Sequence, residues 1–366
     1  MQVKYAKIEK ESVFDLLGFL FKGLENEKGI PLENDATRDI NFYFMQFLDD
    51  QDKGFLRKTC KTLRVEGVIK IEKWENEKKS MLCEYAATHG FLFLLQWAHE
   101  NGYPWDNWIC AKAASGGHLN VLQWLRKQDP PCPWDEYTCT RTAEEGHLNI
   151  LQWLRKQDPP CPWDEDTCKE AALRGHLNIL QWARAQDPPC PWDKCTCALA
   201  ARGGHLNVLQ WARAENPPCP WNRWTCTKAA KGGHLNVLQW ARAENPPCPW
   251  DEWTCSRAAK GGHLNVLQWA HENGCPWNEY TCAYAASGGH LNVLKWAHEN
   301  GCPWTEYTCV KASQKEHLKV LCYAVENGCL WNKDTCVWAF RENHLEVLRY
   351  AIENKCPGSE QYIDDI

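Results

Sequence analysis

Residues 203–221 read GGHLNVLQWARAENPPCPW, and residues 232–250 read the same letters again. The core of this string, HLNVLQW or HLNILQW, begins at six histidines spaced 29 residues apart: His118, His147, His176, His205, His234 and His263. Related strings follow at intervals of 27 residues from His290, His317 and His344, and an atypical copy runs from Phe91 to Trp97. Repetition at such a fixed interval is typical of stacked units that share a continuous core.

Each unit has the pattern of two helices. The first helix begins after a short polar residue that can cap free backbone N–H groups, such as Asp135, Asp164 or Asn222. Its apolar face is a cysteine followed at i+3 and i+4 by alanines, and it ends at a glycine such as Gly233, which suits a left-handed cap. The second helix carries a broad apolar stripe and stops at Asn-Gly or Pro-Pro. We therefore predict an all-α solenoid of about ten helix-turn-helix units.

The composition agrees with a copied unit. The chain has 366 residues with 22 Trp and 22 Cys, and most units contribute two of each. The net charge of −6 argues against a general nucleic-acid binder, and we expect no membrane partner because no long apolar run exists. The N-terminus lacks the apolar core of a signal peptide, which predicts a cytoplasmic, non-secreted protein with reduced thiols.

The repeated pattern A-A-x-x-G-H-L-x-V-L-x-W/L-A-x-x-N-G resembles ankyrin repeats. The turn before the first helix departs from that family, because Cys stands where ankyrin has a core Leu. Units of 27 residues are also shorter than the common 33, which indicates that the β-hairpin finger is missing. The CPW-containing short form is similar to arrays abundant in giant DNA viruses and algae, where it implies protein binding in a host cytoplasm and no catalysis.

The segment before the repeats differs. We divide the chain into a helical module over 1–73, the solenoid over 74–356 and an acidic tail over 357–366. Within the module, residues 30–64 resemble an F-box, which implies docking on a Skp-type adaptor of a cullin ubiquitin ligase. The matching positions are Phe47, Leu48, Asp49, Leu56, Cys60 and Lys61. The alternative is a helical cap that shields the first unit.

Cysteine and histidine recur in every unit but are poorly spaced for a metal. Pairs such as Cys132/Cys139 have six residues between them, whereas structural zinc ligands usually lie two to four apart. We expect one cysteine of each unit in the core, the other in the inter-unit loop, and histidine as a hydrogen-bonding group at the junction. We predict no metal, cofactor or catalytic residue, and a metal- or redox-responsive array remains an alternative.

Positions that vary between otherwise similar units are the candidates for binding. Two residues before the first-helix cysteine the side chain is often aromatic, and four residues later it is often Lys or Arg, so the two share one helical face. The predicted partner-binding stripe comprises Trp108, Lys112, Tyr137, Arg141, Trp224, Lys228, Lys231, Trp253, Arg257, Lys260, Tyr280, Tyr307 and Lys311. The alternative is that each ring only packs on the neighbouring unit and the cation covers it.

The function that follows is a non-catalytic protein–protein interaction scaffold. We expect a protein target with an acidic surface, a substrate-receptor role in a cullin ubiquitin ligase if the F-box resemblance holds, and nucleic acid as an unfavoured partner. A purely structural repeat protein with a helical N-terminal cap is the remaining alternative.

Overall fold

The computed structural model describes residues 76–100 and 102–365, and the F-box-like residues from Phe47 to Lys61 lie outside this part. The described residues form twenty α-helices and no β-strand, so the prediction of an all-α repeat fold is confirmed. In chain order the helices are α1 Asn76–Thr88, α2 Leu92–Glu100, α3 Asn107–Ser115, α4 Leu119–Leu125, α5 Glu136–Glu144, α6 Leu148–Arg155, α7 Glu165–Arg174, α8 Leu177–Arg184, α9 Lys194–Gly203, α10 Leu206–Ala214, α11 Arg223–Gly232, α12 Leu235–Ala243, α13 Glu252–Gly261, α14 Leu264–Glu272, α15 Glu279–Ser287, α16 Leu291–Glu299, α17 Glu306–Gln314, α18 Leu318–Glu326, α19 Lys333–Arg341 and α20 Leu345–Glu353. A 3₁₀ helix over Glu360–Asp365 follows.

The helices belong to two compact units of the chain. Helix α2 and nearly all of α1 fall in the first, and residues from Asp106 onward fall in the second, together with 88–90. In the second unit, odd-numbered helices are the first helices of successive repeats, and each packs against the next odd-numbered helix. Each also packs on its own even-numbered partner, so the array is a row of helix pairs.

Local chemistry explains where the first helices begin and end. The carboxylate of Asp135 accepts a hydrogen bond from the backbone N–H of Tyr137 at 3.1 Å, and Asn222 caps α11 in the same way. These caps satisfy an N–H that the helix itself leaves without a partner. Helix α11 ends at Gly233, whose φ of +79° is the left-handed conformation expected for a glycine C-cap.

Small side chains let the first helices approach closely. In α11 the residues Cys226, Ala229 and Ala230 are fully buried, as the i, i+3, i+4 pattern predicts. The second helix α12 buries Val237 and Leu238, whereas its tryptophan is only half-buried. The core of these repeats therefore consists mainly of alanine, cysteine, threonine and branched aliphatic side chains, and Trp240 lies at its margin.

Two loop types connect the units. The longer loops contain a cis peptide bond before their first proline, as at Asn245-Pro246. The shorter loops turn instead through a glycine of positive φ, as at Gly274. Both types return the chain to the same point, because the next cysteine N–H donates to the carbonyl of the last buried alanine at 2.9 Å in either case, from Cys248 to Ala241 and from Cys275 to Ala270.

Candidate binding ridge on the first helices

The predicted aromatic positions form a line of rings on the first helices. Trp108 of α3, Trp224 of α11 and Tyr280 of α15 expose 45%, 41% and 40% of their surface, and Tyr137 and Tyr307 are similarly exposed. Trp253 of α13 is half-buried. We call the exposed face that these residues share with the cations of the first helices the first-helix ridge.

Rings of neighbouring repeats touch along this ridge. The Trp108 and Tyr137 centroids are 4.7 Å apart, and Trp253 stacks on Tyr280 at 6.1 Å. Tyr280 in turn meets Tyr307 edge-on at 6.1 Å. The rings therefore pack between units while keeping open faces toward solvent. The line is interrupted on α7 and α9, where Asp166 and Cys195 occupy the aromatic position.

The predicted stripe contains five aromatic residues with a cation four positions later, and three of these pairs form a ring contact. The cation lies 5.7 Å from the ring centroid for Arg141 over Tyr137, 5.5 Å for Arg257 over Trp253 and 4.9 Å for Lys311 over Tyr307. These distances lie within the range of cation–π attraction.

The other two pairs do not form ring contacts. In the described part of the chain, neither Lys112 nor Lys228 lies over the tryptophan four residues before it, and Arg223 lies over Trp224 instead, at 5.7 Å. The i, i+4 spacing places both groups on one helical face but does not by itself bring the cation over the ring.

The structure also adds a residue to the predicted set. Tyr284 receives Arg257 at 5.3 Å and Lys260 at 5.4 Å over its ring. It lies 6.1 Å from Trp253 and 6.3 Å from Tyr280, so three rings form one cluster. Sequence reasoning missed it because an aromatic side chain stands there where most units have a cation.

Positive charge accumulates at the centre of the ridge. We define the cation cluster as Arg202, Lys228, Lys231, Arg257 and Lys260, which come from α9, α11 and α13. Partial burial lowers the pKa of Lys231, and the positive charges of Arg202, Lys228, Arg257 and Lys260 lower it further. None of the five forms an ion pair within the described residues. Arg202 was not part of the predicted partner-binding stripe, although it occupies the same repeat position as Lys231 and Lys260.

The preceding repeats have the opposite character. Burial raises the pKa of Glu170 on α7, and the nearby carboxylate of Glu144 raises it further. Glu144 pairs with both Arg141 and Arg174, and Lys169 pairs with Asp166 at 2.9 Å. The cations on α5 and α7 are therefore paired with carboxylates within the protein, in contrast to the cation cluster.

A second set of aromatic contacts lies at the loops. The guanidinium carbon of Arg213 is 4.3 Å from the Trp221 centroid, and Trp221 packs edge-on against Trp240 at 5.8 Å. The same arginine donates from Nη1 to the carbonyl oxygen of Cys219 at 2.8 Å. This arrangement recurs at the other long loops for Arg126, Arg155, Arg184 and Arg242. The tryptophans of the repeat are thus engaged inside and between units.

The cysteines pair across units in a way that the C-x6-C spacing did not reveal. The thiol of Cys226 donates to the carbonyl oxygen of Cys248 at 3.8 Å, and the thiol of Cys248 donates to the carbonyl oxygen of Asn222 at 3.5 Å. Both cysteines are fully buried, so the loop cysteine belongs to the core as well. The hydrogen bond with the Cys248 thiol, together with burial, raises the pKa of Cys226. The described residues contain no group of three or more His, Cys, Asp or Glu side chains placed to hold a metal ion.

The repeated histidine is a junction group, as predicted. The Nε2 atom of His234 lies 3.0 Å from the backbone oxygen of Arg202, the last turn of the preceding first helix. His263 makes the same contact with Lys231, and His290 with Lys260, both at 3.1 Å. The histidines therefore fix the backbone from which three members of the cation cluster project.

Comparison with known proteins identifies no relative by sequence. No protein-family profile matches the chain, and no curated protein matches it. Among solved structures, the chain is similar to the pentatricopeptide repeat protein PPR10 in complex with an 18-nt psaJ RNA element, with a TM-score of 0.39 and 10% identity. A triple cysteine-to-serine variant of that protein with the same RNA element gives the same TM-score and identity. In each case the match covers 94% of this chain and 56% of the other, so the chain spans about half of that protein's length.

These findings correct the expectation about partners. The sequence predicted a protein target with an acidic surface and treated nucleic acid as unfavoured, yet the matched helical-repeat structures hold RNA. The net charge that motivated this expectation is a sum over the whole chain, and it does not reveal the five cations without ion pairs that α9, α11 and α13 bring together on the first-helix ridge. Among the described residues, no helix combines the length and the apolarity needed to cross a bilayer.

Proposed function

We propose that the chain is a non-catalytic binding scaffold whose first-helix ridge holds an extended ligand. The observation that carries this proposal is the line of exposed rings and uncompensated cations on successive first helices. Trp224 and Trp253 each stand two residues after the side chain that caps their helix, and the first helices rest on a buried Cys-Ala face. Aromatic and arginine side chains on a rigid support are typical anchors of binding surfaces.

The array supports binding better than chemistry. Each unit contacts its neighbours through the same small core residues, so a ligand can extend over several units with little reorganisation of the scaffold. The histidines, which are the groups best suited to proton transfer, are engaged with backbone oxygens at the junctions. The buried cysteines have thiols that donate to carbonyl oxygens, which is a structural role.

We further propose that the repeats are of the ankyrin type. Support comes from the Ala-Ala pair buried in α11, the left-handed glycine that ends the helix and the histidine that follows it. A loop with two consecutive prolines stands where the finger would be.

Site-specific photo-crosslinking tests the scaffold proposal. A benzoylphenylalanine side chain at position 280 lies on the ridge, and the same group at position 239 lies on the exposed face of α12. We expect adducts from a cell lysate at position 280 and far fewer at position 239. Equal adduct formation at both positions, or none at position 280, would contradict the proposal. An adduct with a protein and an adduct with a nucleic acid both count as success, because this test concerns the surface and not the class of ligand.

A further inference from the structure

We infer that the ligand of the ridge is a single-stranded polynucleotide, bound over the cation cluster and the adjacent rings. This inference rests on the proposed scaffold function and adds the chemical class of the ligand. It is carried by two observations on adjacent first helices: cations without ion pairs on α9, α11 and α13, and exposed aromatic rings on α11 and α15.

The cations of the cluster lie close together without carboxylate partners. They come from consecutive first helices, and none of them forms an ion pair in the described part of the chain. Their mutual repulsion therefore adds to burial in lowering the pKa of Lys231. A protein usually surrounds surface cations with carboxylates, as α5 and α7 do here. A chain of phosphates would relieve this repulsion at successive positions, because it carries one negative charge per nucleotide.

Exposed rings lie among these cations. Trp224 exposes 41% of its surface on α11, the helix that carries two cations of the cluster. Tyr280 on α15 exposes 40% and packs against Tyr284, over which Lys260 lies. Exposed aromatic rings interleaved with cations are the arrangement that binds single strands, since unpaired bases stack on rings while phosphates meet Lys and Arg. A duplex keeps its bases paired and stacked inside, so no base face is available to stack on the rings. A polyanionic peptide offers carboxylates but no planar groups that need a stacking surface.

The rings and the unpaired cations set the direction and the length of the bound strand. The aromatic position holds Cys195 on α9 and Asp166 on α7, and α7 also carries Glu170. Helix α7 therefore offers no ring to a base, and its two cations are already paired with carboxylates, so the strand should end near α9 and extend toward α13 and α15. Five cations correspond to about five phosphate contacts, which predicts a slope of about −3.5 for the logarithm of the binding constant against the logarithm of salt.

Fluorescence anisotropy with the full chain tests this assignment. The probes are a labelled 12-nucleotide oligo(U) RNA, its DNA counterpart oligo(dT), a 12-base-pair DNA duplex and polyglutamate of equal length. We expect both single strands to bind with the predicted salt slope, and the duplex and polyglutamate to bind at least tenfold more weakly. Circular dichroism checks that each variant keeps its helices.

Two variants and one control separate the contribution of charge to binding from the contribution of stacking. The double variant Lys231→Gln/Lys260→Gln should weaken single-strand binding about tenfold at low salt and reduce the slope by about 1.4, because about 0.7 is lost per cation. Trp224→Leu should weaken binding about five- to tenfold without changing the slope, because stacking carries no charge. Lys127→Gln/Lys156→Gln removes the same charge from exposed positions after α4 and α6 and should change affinity less than twofold.

Three outcomes would overturn the inference. The first is that neither single strand binds the wild-type chain. The second is that the Lys127/Lys156 control loses as much affinity as the cluster variant, which would mean non-specific attraction. The third is that polyglutamate binds as tightly as the single strands with the same dependence on Lys231 and Lys260, which would mean a protein ligand. In that third case crosslinking at position 280 still succeeds, so failure of the ligand class and failure of the scaffold remain distinguishable.

Discussion

The guanidinium carbon of Arg242 lies 4.1 Å from the ring centroid of Trp250, across the loop that joins two repeats. The same guanidinium donates from Nη1 to the carbonyl oxygen of Cys248 at 2.6 Å. One side chain at the end of α12 therefore fixes both the path of the long loop and the ring that begins the next unit. Three of the short-loop units replace this arginine by a histidine stacked on the equivalent tryptophan, as for His271 on Trp277 at 3.7 Å.

The first prediction concerns this arginine. Arg242→Lys removes the planar stacking group and the directed hydrogen bond, so we expect a loss of about 1–2 kcal/mol in the free energy of unfolding. Urea unfolding followed by circular dichroism measures the change. Arg202→Lys is the matched control, because Arg202 is exposed and forms no ion pair in the described structure, and we expect it to stay within about 0.5 kcal/mol of the wild type. Equal loss in both variants would show that the stack contributes nothing.

The second prediction concerns the match between Arg242 and the length of the loop that follows it. Residues 242–247 read RAENPP, and residues 271–274 of the short loop read HENG. Replacing 242–247 by HENG exchanges both features and should leave the thermal midpoint within a few degrees of the wild type. Replacing the same residues by RENG keeps the arginine on the short loop and should lower the midpoint further, because the guanidinium no longer matches the ring position. If the two chimeras have the same thermal midpoint, the side chain at the start of the loop and the length of the loop affect stability independently.

Much of this architecture could be predicted from the sequence, because helix signals are local. The caps at Asp135, Asp164 and Asn222 and the left-handed Gly233 follow from short-range chemistry, and the structure confirms all four. The contact of Arg242 with Trp250 was not predictable, because it depends on the path of the intervening loop. The contact between Cys226 and Cys248 also depends on the path of this loop, so it could not be predicted. The C-x6-C spacing suggested a different pair of cysteines. Arg202, Lys231 and Lys260 occupy the same position in three successive repeats, so the sequence could have predicted their proximity. The net charge of the whole chain gives no sign of it.

The third prediction concerns acid. Burial lowers the pKa of His118, and the nearby His89 and His147 lower it further, although the contact of Nε2 with the backbone oxygen of Thr88 at 3.0 Å opposes the shift. Because the folded pKa lies below the unfolded one, the unfolded chain binds more protons, so stability is complete above about pH 6.5 and falls as the pH drops below it. His118→Gln removes this contribution, and thermal midpoints between pH 7.5 and pH 5 should fall less steeply than those of the wild type. Parallel curves for the two proteins would contradict the assignment.

The fourth prediction concerns thiol reactivity. Among the described cysteines only Cys195 is exposed and Cys322 is half-buried, while the others are buried. A buried thiol with a raised pKa holds little thiolate and reacts slowly, as we expect for Cys226. Brief maleimide labelling of the native protein, read by peptide mass spectrometry, should therefore modify Cys195 first. Rapid labelling of Cys226 at low denaturant would mean that the inter-unit contact opens easily.

The fifth prediction separates steric contact from backbone strain at the glycines. Gly233 and Gly274 have nearly equal φ values of +79° and +80°. A Cβ atom at Gly233 would stand 2.6 Å from Nδ1 of His263, whereas a Cβ atom at Gly274 would meet nothing within 4 Å. Gly274→Ala should therefore cost only the left-handed strain of about 1 kcal/mol, and Gly233→Ala should cost at least about 2 kcal/mol more because the His263 ring must leave its contact with Lys231. Urea unfolding of the two variants gives the difference directly. Equal destabilisation would show that the histidine ring moves freely and that the junction hydrogen bond does not hold adjacent first helices together.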